Sequence, residues 1–139
     1  KSLETYSLRM QRHCENALKV ATFLDTHLKV LRVMYPHLPS HPQYAIAKAQ
    51  MTSGGNMIAF EVAGGKEGAF ACVNKLQLID ISNNLGDSKS LITHPATTTH
   101  ANLPEAARAE ISITTGLLRL SVGLEYVDDV IADLTVALG

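Results

Sequence analysis

Gly116-Leu117-Leu118-Arg119-Leu120-Ser121-Val122-Gly123 is short, mostly apolar and closed by a glycine at each end, the pattern of a buried β-strand. Side chains alternate across a strand. Leu118, Leu120 and Val122 therefore share one face, and Leu117, Arg119 and Ser121 the other. This puts a guanidinium, charged at any working pH, among apolar neighbours, and an unpaired buried charge costs several kcal/mol or more. Arg119 must meet a carboxylate. That partner is either a neighbour in the fold, such as Glu125, or a ligand; taken alone, the structural ion pair is the commoner case.

Outward from this strand, the patterns alternate between helix and strand. Towards the C-terminus, Val127, Val130, Ile131, Leu134 and Leu138 line one face of a helix from about Tyr126 to Leu138, and Asp128 and Asp129 suit the positive end of its dipole. Towards the N-terminus, Pro104 opens a short helix, Thr97-Thr98-Thr99-His100 is a polar loop, and Leu91 to Thr93 is a short strand. Leu78 to Ser82 reads as a strand ending in the turn Asn83-Asn84-Leu85-Gly86-Asp87. Glu67 to Leu76 reads as a helix with Phe70, Val73 and Leu76 inward. Met57 to Val62 and Val30 to Tyr35 are strands by composition, and Tyr44 to Met51 is a short helix. Pro36 to Pro42 carries three prolines and is a loop. The segment Leu3 to Thr26 is a long helix, with Cys14, Ala17, Leu18, Ala21 and Leu24 on one face and Arg12, Glu15, Lys19 and Asp25 opposite. Its first turns hold Leu3, Tyr6, Leu8 and Met10, suited to packing on something outside the segment. The class is α/β or α+β, a small sheet covered by helices.

A chain of 139 residues, 46 % of them apolar, fits one globular domain. A net charge of -1 with interspersed signs leaves no basic patch for nucleic acid and no polybasic helix for a membrane surface. No apolar run approaches the roughly 18 residues that span a bilayer. Lys1-Ser2-Leu3-Glu4 has no signal-peptide pattern. It starts without methionine and in mid-element, as expected of a fragment or a processed piece. Cys14 and Cys72 sit among apolar residues and read as small buried hydrophobes in a reducing cytosol. Six histidines are scattered; His94 and His100 flank the threonine loop without a third ligand, so no metal site is expected. Gly54-Gly55 and Gly64-Gly65 are turn chemistry, and neither a nucleophile elbow nor a phosphate-binding glycine loop is present. Asn83-Asn84-Leu85-Gly86 is either a plain turn or an anion-binding loop that would join Arg119 in a carboxylate clamp. The residues alone thus give one plausible anion site with no catalytic group of its own.

Several longer stretches add a resemblance. Ser7-Leu8-Arg9-Met10-Gln11-Arg12-His13-Cys14-Glu15-Asn16-Ala17 resembles the long helix of the Cys/Met metabolism family of pyridoxal-phosphate enzymes. Tyr35-Pro36-His37-Leu38-Pro39-Ser40-His41-Pro42 is similar to that family's YPGLPSHP stretch. Leu91 to His100 (LITHPATTTH) and Leu118 to Glu125 (LRLSVGLE) resemble its two C-terminal signatures. The order is collinear over nearly the whole chain. Within the family, Asn83-Asn84-Leu85-Gly86-Asp87 with Lys89-Ser90-Leu91 looks most like the O-succinylhomoserine sulfhydrylases.

The resemblance implies the small C-terminal domain of the aspartate-aminotransferase-like fold, with residues 1–26 as the interdomain helix and 27–139 as the domain proper. The cofactor, pyridoxal 5'-phosphate, would be held by a large domain outside this chain, with its lysine, so no residue here is nominated as catalytic. Arg119 matches the arginine that pairs with the substrate α-carboxylate. Asn84 stands beside it where many members have serine, and Thr97, Thr98 and Thr99 would shape the site's mouth. The implied reaction is γ-replacement, in which succinate leaves an activated homoserine and sulfide adds to give homocysteine. Cystathionine γ-synthase, O-acetylhomoserine sulfhydrylase and γ-lyase are the alternatives within the family. A non-catalytic truncated domain is the alternative outside it. The implied setting is a cytoplasmic homotetramer acting on a small amino acid, with the fragment alone inactive and prone to self-association.

Overall fold

The computed structural model describes residues 1–139. Five strands form one mixed sheet. They are β1 (Val30–Met34), β2 (Met57–Val62), β3 (Asp80–Ile81), β4 (Leu91–Thr93) and β5 (Leu117–Ser121), in the order β1-β2-β5-β4-β3. Every pairing is antiparallel except the edge pair β3 and β4. The Arg119 stretch is the central strand, as its apolar composition requires.

Three helices cover one face: α1 (Tyr6–Asp25), α3 (Gly65–Lys75) and α5 (Val127–Leu138). Ile58, Phe60, Leu118, Leu120 and Val122 point into this layer and are buried with Val20, Leu24, Val130 and Leu134 from the helices. Alternation then sends Arg32, Glu61, Ala59, Arg119 and Thr93 to the opposite face, which no helix covers. Two short helices, α2 (Tyr44–Gln50) and α4 (Glu105–Glu110), lie in the connections.

Some expectations shift. The long helix begins at Tyr6, not Leu3. Its buried face includes His13, Asn16 and Val20 and leaves Leu18 exposed, because the face tracks the sheet and the last strand's exit. In α3 the residues against the sheet are Ala69 and Cys72, with Val73 and Leu76 partly buried. Phe70 is one step round the helix from Ala69 and lies outside the core, its ring edge-on to buried His94 with Lys66 over it. Small residues let α3 approach the sheet closely, and Gly64 at φ +91° supplies the turn from β2 into it. The strand expected over 78–82 shrinks to Asp80–Ile81. The amides of Gln77, Leu78 and Ile79 donate instead to the Asp133 carboxylate of α5, all at 2.9 Å. Pro104 precedes α4 and does not form its first turn. The chain contains no helix long and apolar enough to cross a membrane.

Candidate functional site

Arg119 lies mid-strand on the helix-free face, level with Ala59 of β2 and Thr93 of β4. Its Nη2 donates to the Asn83 carbonyl at 2.9 Å, the one hydrogen bond of the guanidinium. Nε is buried without any partner. Glu125, the neighbour that could have formed a structural ion pair, is engaged elsewhere: its carboxylate accepts from the amide of Ser90 at 2.7 Å and from the Ser90 hydroxyl at 2.8 Å. Arg119 thus has no acidic partner in the chain. Buried side-chain polar atoms without partners number three, Arg32 Nε, Thr114 Oγ1 and Arg119 Nε. All three belong to the helix-free face or to the loop leading into β5, so unmet hydrogen-bonding capacity is concentrated on that side.

The loop from Ser82 to Lys89 stands over Arg119. Asn83 is tied by both ends: its carbonyl takes Arg119, and its Oδ1 accepts from Thr93 Oγ1 at 3.0 Å. The Gly86 amide donates to Ser121 Oγ at 2.8 Å, two residues along β5 from Arg119. Asn84 is exposed next to this contact, its amide bonded to Ser82 Oγ at 3.1 Å. Asn84 is thus the residue after the one whose carbonyl takes Arg119, and no hydrogen bond joins it to the guanidinium. It is the Asn83 carbonyl that aims the fork, a main-chain role no residue type could announce. Further along, hydrogen bonds from Lys89 and Ser88 hold the Asp87 carboxyl below the usual carboxylate range, and the bond to Asp80 at 2.7 Å raises Lys89.

Of the three threonines, Thr97 ends a short 3₁₀ turn, Pro95–Thr97, and Thr98 and Thr99 follow it. Thr98 Oγ1 lies 2.9 Å from Thr93 Oγ1, which links it through Thr93 to Asn83. Thr97 Oγ1 lies 2.8 Å from His94 Nδ1, and Thr99 Oγ1 the same distance from His100 Nδ1. Nε2 of buried His94 donates to the Thr115 carbonyl at 2.6 Å, since a carbonyl can only accept. The threonine turn is thereby stitched to the loop that feeds β5. A cavity of about 230 Å³ lies behind it, lined by Phe70, Ile92, Thr93, His94, Thr97 and Thr98. The largest cleft, about 900 Å³, is elsewhere, between the first turns of α1 and Tyr35, His37 and Lys48.

Chemically, the face offers a planar fork able to take a carboxylate by two parallel hydrogen bonds. Lysines, the residues a pyridoxal aldehyde would need, are all exposed, and none is on a strand of the sheet. The donor set thus fits the carboxylate side of an amino-acid site and not the covalent side of a pyridoxal site. No group of three or more His, Cys, Asp or Glu side chains could hold a metal. Cys14 and Cys72 are free and buried.

Known proteins match this chain over nearly its whole length. The family of Cys/Met metabolism PLP-dependent enzymes matches residues 1–139. An O-succinylhomoserine sulfhydrylase of Mycobacterium tuberculosis is 51 % identical over 144 residues, covering 99 % of this chain and 35 % of the relative. An L-methionine gamma-lyase of Fusobacterium nucleatum subsp. polymorphum is 48 % identical, covering 96 % and 34 %. Among solved structures, a Campylobacter jejuni protein assigned as an O-acetylhomoserine (thiol)-lyase, which contains N'-pyridoxyl-lysine-5'-monophosphate, superposes with a TM-score of 0.93 at 42 % identity, covering 98 % of this chain and 32 % of that one. Cystathionine gamma synthase from Xanthomonas oryzae pv. oryzae, in complex with aminoacrylate and cysteine, also gives 0.93, at 41 % identity and with 98 % and 35 % covered. The chain spans about a third of the length of the curated relatives it matches. It belongs to the Cys/Met metabolism family of pyridoxal-phosphate-dependent enzymes.

Proposed function

We propose that this chain is the C-terminal substrate-recognition domain of an O-succinylhomoserine sulfhydrylase, with residues 1–26 as the interdomain helix and 27–139 as the domain. The observation that carries the reading is Arg119: a guanidinium on the helix-free face of the sheet, aimed by a carbonyl and without an acidic partner. A free fork of this kind suits the α-carboxylate of an amino acid. Pyridoxal phosphate, when bound by the remainder of the enzyme, supplies an electron sink for carbanion chemistry. This chain's part is binding and orientation. Arg119 grips the carboxylate, and the Asn83 carbonyl fixes the fork's plane. Asn84 stands beside the carboxylate, and the Thr97–Thr99 turn borders the entrance. Held so, the substrate loses succinate from Cγ with the C–O electron pair, and hydrosulfide takes its place to give homocysteine. Two free buried cysteines suit a reducing cytoplasm, and assembly as a homotetramer belongs to the same reading.

The test is a substrate comparison on the full-length enzyme. O-succinyl-L-homoserine with sulfide should give homocysteine with a higher kcat/KM than O-acetyl-L-homoserine. Release of 2-oxobutyrate and methanethiol from L-methionine as the fastest reaction would instead support the γ-lyase reading, which the 48 % identity to such an enzyme favours. No turnover of any of these with cofactor present would support a non-catalytic domain.

A further inference from the structure

The loop from Ser82 to Lys89, which aims Arg119, is exposed along most of its length and contributes nothing to the core. Its far end is held in an unusual way. Ser90 is fully buried, and it donates both its amide and its hydroxyl to the Glu125 carboxylate. Its hydroxyl oxygen accepts the Gly123 amide at 2.9 Å. The Leu124 amide adds a bond to the Ser88 carbonyl at 2.8 Å. Gly123 is required there, because a Cβ would collide with Glu125 Oε1 and the Ser88 carbonyl. The segment carrying Glu125 is itself fixed to α1. Buried His13 Nδ1 lies 2.7 Å from the Val122 carbonyl, and Asn16 Nδ2 donates to the carbonyls of Gly123 and Glu125 at 3.1 and 2.8 Å. The result is a chain of hydrogen bonds from the long helix to the loop over Arg119, and Glu125 to Ser90 is its middle link. A half-buried carboxylate with no cation partner, both of its oxygens accepting from one serine, adds nothing to the hydrophobic core. It is an effective way to set a loop, because two bonds to one residue define an orientation as well as a distance.

We infer that Glu125, acting through Ser90, is a positioning residue for Arg119: it sets the Asn83 loop, and with it the plane in which the guanidinium meets the substrate carboxylate. The inference rests on the reading of Arg119 proposed above. Glu125→Gln tests it with little change in shape. The amide offers one acceptor and one donor to a serine that presents two donors, so the Ser90 hydroxyl proton loses its acceptor in a buried place.

In the full-length enzyme, Glu125→Gln is expected to raise KM for O-succinyl-L-homoserine roughly tenfold, within the range of coupling inside one hydrogen-bond network, with kcat little changed. Calorimetric binding of L-norleucine, which has the carboxylate and no leaving group, should weaken by the same factor. The decisive arm is a double-mutant cycle. In an Arg119→Lys background the Glu125 substitution should cost almost nothing more, because the fork it positions is gone. Equal losses in both backgrounds would overturn the inference while leaving Arg119 in the site. So would a lowered melting temperature with unchanged KM and norleucine affinity. Unchanged norleucine binding in Arg119→Lys alone would remove the reading on which the inference rests, and the inference with it. If Glu125→Gln does not fold, Ser90→Ala, which deletes the hydroxyl bond and keeps the amide bond, runs through the same cycle with the same criteria.

Discussion

Arg119 and Glu125 are six residues apart and of opposite charge, yet each serves a different neighbour. Because Glu125 is occupied by Ser90, the rival in which Arg119 only closes a structural ion pair does not apply. Arg119→Lys in the full-length enzyme should therefore lower kcat/KM for the homoserine ester by about 2–3 kcal/mol, the scale of a charge-assisted hydrogen bond, and leave the melting temperature nearly unchanged. Lysine keeps the charge and loses the fork. Steady-state kinetics and thermal melts on one sample check this, and an unchanged kcat/KM would remove Arg119 from the site. A second single-residue consequence concerns alkaline pH. Burial pushes the Cys72 thiol up to about 11 and also raises Tyr35, whose hydroxyl donates to the Gly55 carbonyl. Both groups hold their protons more tightly in the folded chain than in the unfolded one. Their contribution is complete below about pH 9, the ordinary thiol range, and is lost as pH rises through the folded values. Urea unfolding at rising pH should show stability falling above about pH 9, and Cys72→Ala should remove about 2–3 kcal/mol of that fall by pH 11.

Among the elements, α5 does more than cover the sheet. Its Asp133 takes three consecutive amides from the segment entering β3, replacing the ladder bonds that a longer strand would have made. Asp133→Asn swaps one acceptor oxygen for a donor facing N–H groups. It should destabilise the chain by about 1–3 kcal/mol, read by denaturant unfolding, with a loss concentrated in amide protection of residues 77–79. The long helix divides differently. From His13 onward it is anchored by Ala17, Val20, Ala21 and Leu24, whereas Leu3 is 85 % and Leu8 71 % exposed. Hydrogen exchange on a dilute monomeric sample should find residues 3–10 nearly unprotected and residues 13–24 protected. At high concentration, protection of the first turns should rise as their apolar side chains find partners. Strong protection at high dilution would contradict this.

Taken as a whole, the molecule has a closed side and an open one. Helices α1, α3 and α5 seal the apolar face of the sheet, while the opposite face carries Arg32, Glu61, Arg119 and Thr93 and two of the three unpartnered buried polar atoms, the third being Thr114 Oγ1 in the loop leading into β5. No strand of the sheet carries a lysine. Adding pyridoxal phosphate to this chain alone, reducing with borohydride and analysing by mass spectrometry should give no stoichiometric label on one lysine; scattered trace labelling of the exposed lysines is expected. A single fully labelled lysine would show covalent capacity that the sheet does not display.

Much of this was legible before any coordinates. Alternation along Gly116 to Gly123 identified the central strand and the face that bears Arg119, because a period of two has only two outcomes. The apolar stripe of the last helix and the collinear family stretches were equally plain, and the family assignment needed nothing further. Arg119 and the Asn83–Gly86 turn could be nominated together, but the contact between them is made by the Asn83 carbonyl, an acceptor, while the Asn84 and Gly86 amides donate to Ser82 and Ser121. It alone decided the rest. Glu125 could have paired with Arg119 by charge and proximity, and only the closure of the 82–90 and 122–125 segments on each other gave it to Ser90. Phe70 and Leu18 are apolar and fall near the right spacing, yet neither joins the core, because a helix's buried arc is set by the surface it meets. His13 and Asn16 gave no signal as polar residues of a core, since their partners are main-chain carbonyls more than a hundred residues away. Local pattern determines which elements form and which faces are apolar. Which polar group meets which is settled only when segments distant in the chain exclude water from between them.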